Sequence, residues 1–141
     1  MHEAGVTVLV VEDEPIIRLT LVDALEEEGY HVLEASNVLE AVGIIGKNDG
    51  ISAVVTDIDM PGGLSGLDLV EMLDKSQHHI ALVVTSGGHA SDTLNLPSDS
   101  RFFSKPYHFE DIFFALRASI CAKAKLTKKR RGFRFAGASA T

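Results

Sequence analysis

The chain has 141 residues, 45% of them hydrophobic, which excludes a disordered composition and favours one domain with a core of its own. No apolar run approaches the ~18 residues of a membrane span, the N-terminus lacks the pattern of a signal peptide, and one cysteine, Cys121, excludes an internal disulfide; a reducing cytoplasm is the expected compartment. The net charge of −7 is uneven: all twenty acidic residues and six of the thirteen basic ones precede Lys123, leaving residues 1–122 at −14 and 123–141 at +7, so nucleic-acid binding is not expected of the acidic body.

Val6 to Val11 is a short apolar run that ends in Glu12-Asp13-Glu14. Pro15 then suits the first turn of a helix, Ile17, Leu21, Val22 and Leu25 give it an apolar face, and Gly29 stops it. His31 to Ala35 is a second strand. Asn37 with Glu40 resembles a capping box for a helix carrying Val38, Ala41, Val42 and Ile45, which Asn48-Asp49-Gly50 breaks. Ile51 to Thr56 is a third strand, closed by Asp57, Asp59 and a Pro-Gly-Gly turn. Leu67, Val70 and Leu73 line a third helix, and Ile80 to Thr85 is a continuously apolar fourth strand. Ser86 to Ser100 reads as loop, so any helix there is expected to be short or irregular. Arg101 to Ser104 is a brief fifth strand. Lys105-Pro106 turns into a last helix with Phe109, Ile112, Phe113, Leu116 and Ile120 on one face. The basic segment from Lys123 onward reads as disordered or as a frayed helical extension. Strands apolar throughout and alternating with helices predict an α/β fold, a parallel sheet covered on both faces.

In such sheets ligands sit beyond the carboxyl ends of the strands. Glu12 and Asp13 end the first strand, Asp57 ends the third with Asp59 just past it, Thr85-Ser86 end the fourth, and Lys105 follows the fifth. If the first and third strands are neighbours, their acids converge and repel by roughly 4 kcal/mol per pair at 4 Å and an effective dielectric of 20. A divalent cation removes that conflict, and oxygen ligands without a Cys/His set favour Mg²⁺. A carboxylate can attack phosphorus and form an acyl phosphate. Phosphoryl transfer then needs mainly positioning and charge neutralisation, to which Lys105 and the Ser86 hydroxyl contribute.

Glu12-Asp13, Asp57, Ser86-Gly87 and Lys105-Pro106, in this order at successive strand ends, resemble the receiver domain of two-component response regulators over about residues 6–121. The likeness is to single-domain, chemotaxis-regulator-like members. It implies a flavodoxin-like, doubly wound five-stranded parallel sheet in the order 2-1-3-4-5. It implies that Asp57 is the phosphoacceptor, and that Asp13, the Asp57 carboxylate and the Asp59 backbone carbonyl ligate Mg²⁺, with Glu12 acting through water. It makes Ser86 the hydroxyl switch residue, Lys105 the contact to the phosphoryl group and Phe102 the aromatic switch position. A cis Lys105-Pro106 bond would match the family. The implied donor is a histidine kinase or histidine phosphotransfer protein, the output is contact with a downstream protein, and the only catalysis is of the chain's own phosphorylation and dephosphorylation. Two features depart from the family, a loop after Asp59 one residue longer and a shortened stretch from Ser86 to Lys105, and no output domain is expected after residue 122.

The alternative is a small Mg²⁺-dependent phosphohydrolase of the haloacid-dehalogenase type, using Asp57-x-Asp59 as nucleophile and acid. The motif's place on the third strand and the lack of a cap domain weigh against it. The side chain of Asp59 either enters the site or faces water. The six histidines show no metal-ligand spacing.

Overall fold

A computed structural model describes residues 5–88 and 95–139, with side chains described to residue 126. In chain order the elements are β1 (Thr7–Val11), α1 (Pro15–Glu27), β2 (His31–Ala35), α2 (Val38–Lys47), β3 (Ile51–Asp57), α3 (Gly66–Ser76), β4 (Ala81–Ser86), β5 (Arg101–Ser104) and α4 (Phe109–Ser139). The five strands form one sheet in the order β2-β1-β3-β4-β5, and every pairing is parallel. This is the order expected from the resemblance. It puts β1 beside β3, with Val11 opposite Thr56, so the acids that follow both strands leave the sheet side by side.

Alternation along the strands builds two cores, because successive side chains point to opposite faces. Val8 and Val10 of β1 pack with Leu21, Val22 and Leu25 of α1 and Ile112, Ala115 and Leu116 of α4. Leu9 and Val11 face the other way, toward Val38 and Ala41 of α2 and Leu69, Val70 and Leu73 of α3. The sheet is therefore buried on both sides, which is why its strands lack polar alternation.

The helix ends follow the expected chemistry. Pro15 opens α1. Asn37 caps α2, its side chain accepting from the Glu40 N–H, while Glu40 reaches back to the Ser36 N–H rather than to that of the cap residue. Ser65 and Asp68 make a complete capping box at α3, worth about 1 kcal/mol.

Two expectations about the chain's second half are refined. β3 and β4 each run one residue further than the sequence suggested, to Asp57 and Ser86, so both of these side chains stand on regular backbone paired across the sheet. Of the two alternatives for the basic segment, disordered or a helical extension, the structure takes the helical one: α4 continues through it to Ser139 without a break at residue 122. Lys, Arg and Ala are good helix formers, and Lys123 is tied down, its Nζ donating to the His78 carbonyl at 2.7 Å and meeting Asp99 Oδ2 at 2.6 Å. The expected short helix between β4 and β5 falls largely on residues 89–94, outside the described residues; the flanking residues 87–88 and 95–100 are turn and loop.

Candidate functional site

The carboxyl ends of β1, β3, β4 and β5 open on one rim. Asp57, the last residue of β3, is only 3% exposed, and Glu12, just past β1, is equally buried. Asp13 is half-buried. One ligand atom from each of these three residues lies within 4.8 Å of the other two. The donor set is all carboxylate, the hard oxygen chemistry that fits Mg²⁺.

Lys105 closes the group from the far side. Its Nζ donates to Asp57 Oδ2 at 2.9 Å and to Glu12 Oε1 at 3.1 Å. The Lys105-Pro106 peptide is cis, and the Lys105 N–H donates to the Ser86 carbonyl at 2.8 Å. Burial works against the Lys105 charge, but hydrogen bonds and charge from Asp57 and Glu12 outweigh it and hold the ammonium above its usual pKa. Burial pushes the Glu12 carboxyl up. The Glu14 N–H and Lys105 oppose that shift without cancelling it, and the Asp57 charge adds to it. Glu12 also orders its own neighbourhood: its Oε2 accepts from the Glu14 N–H at the start of α1, and its carbonyl accepts from Arg18.

The other oxygen of Asp57, Oδ1, accepts from the Asp59 N–H at 3.0 Å. The carboxylate is thus held from two directions, by an ammonium and by a backbone amide. The Asp59 side chain, which the sequence left open, turns away from the three-acid group. Its Oδ2 accepts from the Ser86 hydroxyl at 2.7 Å, the Gly87 N–H at 2.9 Å and the Gly88 N–H at 3.3 Å. Its backbone carbonyl as a metal ligand stays an expectation of the resemblance. Phe102 is half-buried opposite Val84 and packs against the core cluster that includes Val84 and the buried face of α3.

Three contributors escaped the sequence reading. Gly66 opens α3 against the end of β3. A Cβ there would lie 2.6 Å from Ile58 Cα and closer still to the Asp57 carbonyl oxygen, so no other residue lets α3 approach this strand end. The Gly87 and Gly88 amides act through backbone donors that side-chain chemistry does not advertise. Beside Lys105 an apolar groove is lined by Ile16, Ile17, Thr20, Pro106, Tyr107 and Phe109, brought together from α1 and the segment after β5, which no single stretch of sequence announces.

Residues 8–117 match the sequence profile of the response regulator receiver domain. Among curated relatives, the chain is 37% identical over 111 residues to the sensor kinase CckA of Brucella abortus, covering 75% of this chain but 12% of that kinase's length. It is 31% identical over 109 residues to the response regulator receiver protein CpdR of the same organism, covering 74% of this chain and 88% of CpdR. Among solved structures, the response regulator protein TrrA of Thermotoga maritima, in complex with Mg²⁺ and BeF, superposes with a TM-score of 0.73 at 28% identity, covering 80% of this chain and 97% of that one.

Proposed function

The chain belongs to the response regulator receiver domain family, and on that premise we propose that it is a phosphorylation-dependent signalling module whose acceptor is Asp57. The carrying observation is the clamp of Lys105 on Asp57 and Glu12 across the sheet rim, which leaves a buried, oriented carboxylate beside a fixed cation. The donor is a phosphohistidine on a kinase or phosphotransfer protein. An Asp57 oxygen bonds to phosphorus as the P–N bond breaks, the imidazole keeps the electron pair and takes up a proton, and an acyl phosphate forms. Asp13 and Asp57, with Glu12 close by and the Asp59 carbonyl as a further ligand, would hold Mg²⁺, which would supply neutralisation of charge on the transferring group. TrrA, solved with Mg²⁺ and BeF, supports that assignment.

Lys105 neutralises a phosphoryl oxygen as a point charge. The single hydroxyl proton of Ser86 goes to another. Drawing in the loop after β4 changes the space beside Phe102 and with it the face near β5 that a downstream protein reads. The apolar groove adjoining Lys105 is the surface we assign to the donor protein, because a phosphohistidine must arrive within reach of Asp57. Residues 1–122 form the receiver unit in this reading, and the basic continuation of α4 is an appendage to it. No helix among the described residues is long and apolar enough to cross a membrane, and we place the protein in the cytoplasm. The phosphohydrolase alternative draws no support from the family or from these relatives.

The test is direct. Beryllofluoride or acetyl phosphate with Mg²⁺ should shift the amide spectrum around residues 57–60 and 84–88, and Asp57→Asn should abolish the shift. A wild-type protein that ignores both reagents ends this reading.

A further inference from the structure

The Asp59 carboxylate is exposed, yet one of its oxygens takes the Ser86 hydroxyl, the Gly87 N–H and the Gly88 N–H. A hydroxyl with two successive backbone amides is a concave anion site of the kind that binds phosphate oxygens. The Gly88 N–H is shared with Ser86 Oγ at 3.2 Å, so the loop closes around this oxygen. Among the described residues, the nearest atom a Cβ on Gly88 would meet is Asp59 Oδ2, at 4.0 Å. An exposed carboxylate could be hydrated instead; here it is ordered against a loop 27 residues away.

The proposed function gives the Ser86 hydroxyl to a phosphoryl oxygen on Asp57. That hydroxyl has one proton. The Asp59 carboxylate and the phosphoryl group therefore cannot both receive it. Asp59 is also joined to the acceptor, since its N–H donates to Asp57 Oδ1. The two anions compete for donors from a shared segment of chain.

We propose that the Asp59 carboxylate is a resident anion of the Ser86–Gly88 pocket, a built-in stand-in that a phosphoryl group on Asp57 must displace. The inference rests on Asp57 being the acceptor. Its consequence is that phosphorylation exchanges one anion for another: the loop after β4 is held before the signal arrives, and the resident carboxylate lowers the affinity for the incoming group. Displaced, the Asp59 carboxylate is free for water or a partner.

Two measurements test this. In metal-free, unphosphorylated protein, Asp59→Asn should speed hydrogen exchange at the Gly87 amide and shift its resonance and that of Gly88; an unchanged Gly87 amide overturns the proposal without any phosphoryl analogue. With Mg²⁺, beryllofluoride should bind Asp59→Asn and Asp59→Ala more tightly than wild type by roughly three- to tenfold, the scale of one displaced hydrogen bond. Loss of negative charge alone would give part of that gain. The competition for Ser86 is isolated by repeating the comparison in a Ser86→Ala background, where the Asp59 effect should shrink. Equal or weaker binding by the Asp59 variants overturns the proposal, as does an effect that persists undiminished without the Ser86 hydroxyl. If wild type binds beryllofluoride and Asp57→Asn does not, such a result condemns only the resident-anion inference; if wild type itself fails to bind, the acceptor reading falls and this inference with it.

Discussion

Lys105 and Asp57 are 48 residues apart in sequence, and their Nζ and Oδ2 lie 2.9 Å apart in the fold. The same ammonium holds Glu12, so one cation serves two buried carboxylates while Asp13 stands beside them. The rim is left rich in negative charge among its described residues, and that excess sets its response to cations and to mutation.

Metal binding should stabilise the fold. A ligand that binds only the native state adds about 2.7 kcal/mol when present at a hundredfold excess over its Kd. Mg²⁺ is therefore expected to raise the thermal midpoint of wild type, and chelation to lower it again. In Asp13→Asn and Asp57→Asn the Mg²⁺-dependent rise should shrink to a fraction of the wild-type value. Thermal unfolding with and without Mg²⁺ checks this, and an equal rise in all three proteins contradicts the assigned ligands.

Replacing Lys105 by Met leaves Glu12 and Asp57 facing each other without their cation. Breaking a buried ion pair costs several kcal/mol, but the Lys105 side chain keeps 22% exposure, so solvent screens part of it. The expected loss is about 1–3 kcal/mol in metal-free protein. Mg²⁺ should recover much of it, which urea unfolding in the two conditions would reveal. Beryllofluoride affinity should still fall, because the contact with the phosphoryl group proposed for the lysine is not replaced.

Gly66→Ala should destabilise and Gly43→Ala should not. At Gly66 the added methyl meets the backbone of Asp57 and Ile58, so α3 must retreat from the end of β3. Overpacking of this kind costs about 1–3 kcal/mol. At Gly43, within α2, nothing among the described residues lies within 4 Å of the added Cβ, and the helix gains up to about 1 kcal/mol in propensity. Denaturant midpoints of the two variants should move in opposite directions.

The tie between Asp99 and Lys123 should be visible as acid sensitivity. The Lys123 hydrogen bond holds the Asp99 carboxyl below its ordinary value of 3.8. A lowered native pKa means the stabilisation is complete above the unfolded value and disappears as pH falls through the native one. Asp99 is half-exposed, so the amount is at most about 1 kcal/mol. Wild type should exceed Lys123→Met in stability at pH 6, and the gap should narrow below pH 4. A gap that persists at pH 2 would assign the effect to the His78 carbonyl contact instead.

The strand ends were legible in the sequence because chemistry is concentrated there: Glu12-Asp13, Asp57, Ser86 and Lys105 each follow a short apolar run, and a parallel sheet delivers all such ends to one side. The starts of α1 and α2 were legible through Pro15, whose fixed φ suits a first helical turn, and Asn37, whose capping hydrogen bond is local; the Ser65–Asp68 box at α3 was not read from the sequence. The last helix was harder. Its apolar stripe stops near Ile120, and only the lysine contacts to His78 and Asp99 show that Lys123 belongs to the body.

From sequence alone came the fold class, the identity of the acids and cation at the rim, and the expectation that they meet. These are fixed by residue type, by short apolar runs and by the 3.6-residue period of the helices, which act locally. Which oxygen of Asp57 faces Lys105, why Gly66 must be a glycine and where the Asp59 carboxylate turns were decided by tertiary structure. Those answers depend on how closely α3 and the β4 loop approach the end of β3, a distance set by packing between segments far apart in the chain and written in no single stretch of it.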